Sequence, residues 1–288
     1  MSSTVIEAIA KRGFIITVEL TPPKGTSVDR FLGRVEYLKG VVDFVNVTDQ
    51  QGANMALSSL AAAHLLLDAG IKPILQVTCR DRNRIALQSD LLGAYVLGVR
   101  NVLCLTGDHP VTGDHPASSA VFDLDSVSLL WTAKRLEGRT DLGGRPLRGS
   151  PSFCLGAAFN PHLAPIELQV AKARAKVAAG CQFFQTQPVF DVRQLEAAIR
   201  NIDVPVIAGV VLIKSVTFLQ SMLSRLPGVK VPGDLLARFE GGEDAQRAAV
   251  SVAAQLIRDL RQVCQGAHIM AMGWEHLVPQ VIESAGLV

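Results

Sequence analysis

Six polar residues, Glu19, Thr48, Gln76, Asp108, Asn160 and Gln187, stand at or just past the ends of successive short apolar runs. Those runs are FIITVEL, FVNVTD, KPILQVTC, NVLCLTGD, CLGAAFN and QFFQTQ. A polar group that ends a buried strand costs free energy unless it has a partner or a use, so this recurrence points to an enzyme site. Glu19 lies in the otherwise apolar stretch ITVEL, beside a turn. Enclosure disfavours the charged carboxylate, which predicts a raised pKa suited to a general acid; a salt bridge to a nearby Lys or Arg is the structural alternative. Asp108 follows Gly107, a residue that lets the backbone turn sharply or approach a ligand. A second carboxylate there could steady a developing cation or hydrogen-bond a heterocycle, or it could simply cap a loop. Arg80, Asp81 and Arg82 form a charge cluster with Asn83 placed to cap the next helix; the cluster suits an anion such as phosphate, or a solvated set of ion pairs. Lys172 and Lys176 share a helical face at i, i+4 spacing, the ordinary pattern of surface lysines.

These residues need elements to position them. Two further runs, VPVIAGVV and AHIMAMG, bring the β-like segments to eight, alternating with helical ones. That alternation predicts an α/β fold of the (β/α)8 type, a TIM barrel, whose strand C-termini form one face and carry the site. The length suits one domain over 1–288, since such barrels run to roughly 250 residues. The spacing predicts a helix over Ser3–Lys11, strands at Phe14–Leu20, Phe44–Asp49, Pro73–Cys79, Asn101–Leu105, Val204–Val211 and Ala267–Gly273, and a final helix near Trp274–Ala285. TPPKGTS reads as a loop whose Ser27 caps a helix starting at Val28. HPVTGDHPASSAVFD is a long polar loop over the site face, in the position of a lid or substrate wall; GRTDLGGRPLRGSPS lies at the opposite end. An added segment after the seventh strand precedes the eighth.

A hydrophobic content of 49%, a charged content of 19% and a net charge of +2 describe a chain with a large core and no general attraction to nucleic acid or membrane. The N-terminal stretch carries no apolar signal core and no run approaches the roughly 20 residues of a bilayer span, so a cytoplasmic location is expected. Cys79, Cys104, Cys154, Cys181 and Cys264 show no CxxC spacing and read as core thiols, with Cys79 alone near the site face. None of the six histidines has an evident partner; His109 and His115 lack a third ligand, so no metal is expected. No nucleophile elbow, P-loop or GxGxxG occurs.

The segments VELTPPKGTS, VNVTD, LQVTC, NVLCLTGDHP, AKVAAGCQFFQTQPVFD and GVVLIKS occur in an order that resembles the methylenetetrahydrofolate reductase family over nearly the whole chain. The most specific parts are the Glu before the double proline, L-x-GD after the fourth strand, and the Gln followed closely by F-D. The resemblance implies a flavin, FAD with FMN as the alternative, held at the barrel mouth. It implies NAD(P)H as donor and hydride transfer from flavin N5 that interconverts 5,10-methylenetetrahydrofolate and 5-methyltetrahydrofolate. By family position Glu19 would be the general acid, Asp108 would hold the pterin and favour the cationic iminium, and Gln187 would hydrogen-bond the folate. Thr48, Gln76, Thr106, Gly107, Asp108, Ala157 and Lys176 match positions lining the family's cofactor site, and the residues themselves add Arg80.

Two departures stand out. Gln76 occupies a position where well-known members have His, and Val216 a position where they have a stacking Phe; Phe218 lies two residues further on. Val216, as a substrate-side position without an aromatic face, suggests electrons delivered by a partner flavoprotein or iron–sulfur subunit in place of NADH, and a homo-oligomer is a further expectation. The alternative from another class is a folate-binding module that serves a methyltransferase system without redox activity of its own. An aldolase-type barrel fits less well, for no strand-end lysine is placed for Schiff-base chemistry.

Overall fold

The apolar runs pair in chain order, each parallel to the next, and the eighth pairs back with the first to close a barrel. The computed structural model describes residues 3–287 except 225, 227, 230 and 241–243. The strands are β1 Ile15–Leu20, β2 Phe44–Val47, β3 Pro73–Thr78, β4 Asn101–Leu105, β5 Cys154–Phe159, β6 Phe183–Pro188, β7 Val206–Val211 and β8 Gly266–Met270. Helix α1 Val5–Arg12 precedes them. The helices between them are α2 Asp29–Glu36, α3 Ser59–Asp68, α4 Arg84–Val96, α5 Ser126–Glu137, α6 Ile166–Ala178 and α7 Val192–Ile199. Three helices, α8 Val216–Leu223, α9 Gly233–Glu240 and α10 Ala245–Leu260, fill the last crossover, and α11 Val278–Ser284 ends the order. The expected (β/α)8 architecture is therefore present.

Side chains alternate across a strand, so every second residue points into the barrel. The floor of the interior is apolar: Ile15, Phe44, Ile74, Leu103, Phe183 and Ile207 form one cluster with Val5 and Ile9 of α1 beneath them. Helix α1 is fixed there by a capping box, in which Thr4 and Glu7 bond each other's backbone, and by Val5 N–H donating to Asn101 Oδ1 at 2.8 Å. Two positions along the strand from that floor comes a polar layer of Thr17, Asn46, Gln185 and His268, all buried. Gly156 and Gly209 are in phase with it, and neither position has room for a side chain. A Cβ at 156 would lie 2.3 Å from the Phe183 ring, and one at 209 would lie 2.8 Å from the Thr186 carbonyl oxygen. The outward-facing residues, including Val18, Val45, Leu75, Cys104, Ala157 and Phe184, pack under the helices in a separate cluster.

Several boundaries differ from the sequence expectation. Ser27 does not cap α2: Val28 occupies that position in a helical conformation with no side-chain bond, and Asp29 in the first turn favours the helix dipole instead. Thr4, in place of Ser3, starts the first helix. Strand β8 ends at Met270, short of Gly273, because Met272 and Gly273 take positive φ and turn the chain. The last helix starts at Val278, after a 3-10 turn Glu275–Leu277, with Pro279 in its first turn where the missing N–H is no loss. Asn83 caps α4 as expected, its Oδ1 accepting from Ile85 and Ala86 N–H, each at 3.1 Å. Among the described residues no helix is long and apolar enough to cross a membrane.

Candidate active site

Glu19 sits one residue from the end of β1, inward-facing, with its side chain 12% exposed. Gln51, in the 3-10 turn Gln51–Ala53 after β2, donates from Nε2 to Glu19 Oε1 at 2.8 Å. His268 Nε2 lies 3.7 Å from Glu19 Oε2, near enough for charge interaction and too far for a hydrogen bond. Burial pushes the Glu19 carboxyl up, as the sequence suggests, yet the net direction is down. The nearby His268, with smaller contributions from Gln51 and Gln76, outweighs the desolvation. The expected elevated acid is thus corrected: unliganded Glu19 is held below the ordinary range.

The other inward residues converge on the same end. Thr48, one residue past β2 and in phase with Phe44 and Asn46, is fully buried and its Oγ1 has no hydrogen-bond partner. Such an orphaned hydroxyl costs about 1–3 kcal/mol unless a ligand or water pairs it. Gln76 is buried beside Glu19. Thr106, Gly107 and Asp108 follow β4; Thr106 Oγ1 accepts from Ser126 N–H at 3.1 Å, tying this exit to the start of α5. Gly107 adopts φ +92°, and a Cβ there would sit 3.1 Å from Thr78 Cβ and 3.3 Å from Arg80 Cβ, so only glycine lets β4 leave the barrel this close to β3. Asp108 is exposed on the rim. Gln187 is half-buried at the end of β6, with half-buried Leu105, Ala158 and Met270 as the apolar part of the same mouth. Asn160 serves a turn, accepting from His162 N–H at 2.9 Å.

Two proposed cofactor positions do not point into this mouth. Ala157 is fully buried in the outer cluster, out of phase with the inward residues of β5. Lys176 donates from Nζ to the Ala158 carbonyl at 2.7 Å between helix and sheet, and burial pulls its pKa down. Val216 is the first residue of α8 and half-buried, behind the cap formed by Ser215 Oγ accepting from Phe218 N–H at 3.0 Å. Phe218 packs against a cluster of Phe190, Val211, Ile213 and Leu219 that also touches Met270, so the aromatic ring nearest the ends of β7 and β8 on this helix is Phe218. Cys79 faces the outer core and burial raises its thiol to about 12, which removes it as a nucleophile.

Two cavities flank the mouth on the β3–β4 side. One, of about 440 Å³, is lined by Asp49, Arg80, Asp81, Arg82, Asp90 and His115 among others. Arg80, nearly fully buried, pairs with Asp81 through Nε and Nη2, the shortest distance being 2.8 Å. Arg82 bridges Asp49 and Asp90. The other, of about 550 Å³, lies between the end of β4 and α5 and includes His109, Phe122, Asp123 and Asp125.

The long loop between β4 and α5 packs against the loops that follow β1, β2 and β3. Its 3-10 turn Pro110–Thr112 leads to Gly113, whose Cα is packed so closely on Ala53 that a Cβ would lie 1.8 Å from the Ala53 carbonyl oxygen. Asp114 pairs with Lys24 and accepts from Met55 N–H at 3.0 Å, and Asp123 pairs with Arg84. Lys24 above all, then His115 and Met55, hold Asp114 well below the usual carboxylate range; Arg84 holds Asp123 at about 2. A depressed folded-state pKa stabilises above the unfolded value of about 4 and is lost as pH falls toward 2. Amide exchange in 109–125, corrected for intrinsic rates, is therefore expected to speed up between pH 6 and pH 3 relative to the barrel strands; an unchanged ratio would show that these tethers do not hold the loop.

Sequence reasoning missed His268, Thr17, Asn46, Gln185 and Gln51, and its view that no histidine has a partner is corrected. His268 Nδ1 lies 2.8 Å from Thr17 Oγ1, and His162 Nε2 lies 2.8 Å from the Pro188 carbonyl. For the four strand residues the signal was present as Thr17, Asn46, Gln185 and His268 standing two positions before Glu19, Thr48, Gln187 and Met270, the strand period that places two residues on one face.

A family model described as methylenetetrahydrofolate reductase matches residues 4–286. The probable methylenetetrahydrofolate reductase (NADPH) of Caenorhabditis elegans is 25% identical over 290 residues, covering 94% of this chain and 42% of that protein. Methylenetetrahydrofolate reductase 1 of Schizosaccharomyces pombe is 25% identical, with coverages of 94% and 45%. The 5,10-methylenetetrahydrofolate reductase of Pectobacterium carotovorum subsp. carotovorum is 23% identical over 262 residues, covering 86% of this chain and 80% of that one. The chain thus spans less than half the length of the first two relatives. Among solved structures, an uncharacterized protein from Clostridium thermocellum that binds two copies of 5-methyl-5,6,7,8-tetrahydrofolic acid superposes with a TM-score of 0.66 at 17% identity, covering 99% of this chain and 100% of that one, a likeness of fold. With the family model spanning nearly every residue of a barrel whose open end carries Glu19, the chain belongs to the methylenetetrahydrofolate reductase family.

Proposed function

We propose that this chain is a flavin-dependent oxidoreductase that interconverts 5,10-methylenetetrahydrofolate and 5-methyltetrahydrofolate, with Glu19 as general acid. The carrying observation is the enclosed carboxyl of Glu19 at the mouth of a barrel of this family, bonded by Gln51 and faced by His268. The residues present fit a flavin: the orphaned Thr48 hydroxyl offers a hydrogen bond, and Leu105, Ala158 and Met270 give an apolar surface at the mouth. Thr48, Gln76, Thr106, Gly107 and Asp108 would hold it, with Arg80 as a cation to serve a phosphate; Ala157 and Lys176 contribute through packing and a backbone bond. When bound, the flavin supplies hydride to the folate's one-carbon unit and a nicotinamide or partner protein restores it.

The chain's own part is acid–base and electrostatic. Glu19 gives a proton to folate N10, which opens the imidazolidine ring to an iminium. A bound pterin would cover the remaining exposed part of Glu19, adding to the desolvation that favours its protonated form. Asp108 on the rim stabilises the iminium's positive charge, and Gln187 hydrogen-bonds the pterin. Phe218 offers the aromatic face that Val216 lacks.

Purified protein is expected to be yellow, to release FAD or FMN on heating, and to lose its flavin absorbance on anaerobic addition of 5-methyltetrahydrofolate. A colourless protein that binds folate and ignores added flavin would overturn this reading in favour of a folate-presenting module. Bleaching by folate without bleaching by NADH or NADPH would assign the donor role to a partner protein.

A further inference from the structure

The polar layer inside the barrel is a chain of hydrogen bonds with a direction. Asn46 and Gln185 pair reciprocally, Asn46 Nδ2 donating to Gln185 Oε1 at 2.7 Å and Gln185 Nε2 to Asn46 Oδ1 at 3.1 Å. The second Gln185 N–H reaches Thr17 Oγ1 at 3.4 Å. The Thr17 hydroxyl has one proton and two lone pairs, so it can accept from Gln185 and donate to His268 Nδ1, 2.8 Å away. A neutral imidazole whose Nδ1 accepts carries its proton on Nε2, and Nε2 is the atom that faces Glu19 Oε2. The far end of the chain is an amide pair above the apolar floor, so the layer opens no route for protons to solvent. It orients.

We propose that His268, pinned by Thr17, is the positioning residue of Glu19: its Nε2 faces Oε2 across 3.7 Å and attracts it electrostatically while Gln51 hydrogen-bonds Oε1 at 2.8 Å, keeping the carboxyl toward the mouth. This rests on the reading of Glu19 as the acid. Among the described residues the side chains that face Glu19 are Gln51 from the turn after β2, Gln76 from β3 and His268 from β8, of which the imidazole is the one ionisable group. His268 in turn faces Thr17, Gln185 and Glu19. Removing the imidazole leaves only Gln51 and Gln76 to oppose the desolvation of Glu19, so its protonated form persists to higher pH. Breaking the Thr17 bond frees the ring to place its proton on Nδ1 and turn a lone pair toward the carboxylate, which acts in the same direction.

The test is an isotope-edited infrared titration of the Glu19 carboxyl in protein without folate or donor, its band assigned by loss in Glu19→Gln. It is paired with the pH profile of folate turnover. His268→Leu and Thr17→Val are both expected to move the carboxyl midpoint to higher pH, with the falling limb of the turnover profile following. Thr17→Val is expected to lower kcat by up to about 100-fold through misplacement of the acid with little change in KM, and Thr17→Ser to restore it. A Thr17→Val protein that folds and shows the wild-type midpoint and profile overturns the proposal, whether or not His268→Leu folds. A moved midpoint in a protein that never turns over folate would sink the functional reading and leave the positioning role standing.

Discussion

Glu19→Gln is expected to reduce folate turnover by about 100- to 10,000-fold, the range for loss of a positioned general acid. It should leave reduction of the bound flavin by its donor at the wild-type rate. The substitution is nearly isosteric, and the amide oxygen still accepts from Gln51 Nε2, which stands 2.8 Å away in the native site. What it lacks is a transferable proton for N10. Without protonation the leaving amine departs poorly, the ring stays closed, and no electrophilic carbon forms. Stopped-flow measurement of the two half-reactions separates these effects. Equal loss in both would mean that Glu19 shapes the pocket and supplies no proton, and the assignment of the acid would fail.

Arg82→Ala is expected to destabilise the protein by about 3–5 kcal/mol, read from the urea midpoint at neutral pH. Asp49 is 1% exposed, and its Oδ2 accepts from Thr78 N–H at 2.8 Å and from Thr78 Oγ1 at 2.9 Å as well as from Arg82. Burial opposes the Arg82 charge, but Asp49 and then Asp90 more than compensate, so the guanidinium pKa is raised. Deleting the cation strands a carboxylate in the wall between β2 and β3, where two hydrogen bonds do not replace a charge. Since Arg82 itself is 23% exposed, water can reach part of the gap, which favours the lower end of the range. Asp49→Asn in the same chain removes the stranded charge and should recover most of the loss. An Arg82→Ala protein as stable as wild type would mean that Asp49 is protonated or solvated once alone.

The barrel was legible because its strands are apolar runs at regular spacing, and helices such as α4 carry an evident cap in Asn83. Glu19 was legible as a carboxyl in ITVEL, but the sign of its pKa was not. That sign depends on His268, 249 positions away along the chain by the numbering and brought beside it only when β8 closes on β1. Ala157 and Lys176 carry the opposite lesson: matching positions places a residue on the right strand or helix, whereas phase along β5 decides which wall it faces. The ends of β8 and α11 were misjudged because positive φ at Met272 and a proline in a first turn are decided by local backbone geometry that hydrophobic pattern does not encode.

Because α1 plugs one end, with Val5 and Ile9 sealed against the floor and the backbone tied to Asn101, the cylinder is a cup with a single doorway. Any molecule that Glu19 serves must therefore approach from the side of the strand C-termini, past the turn that carries Gln51.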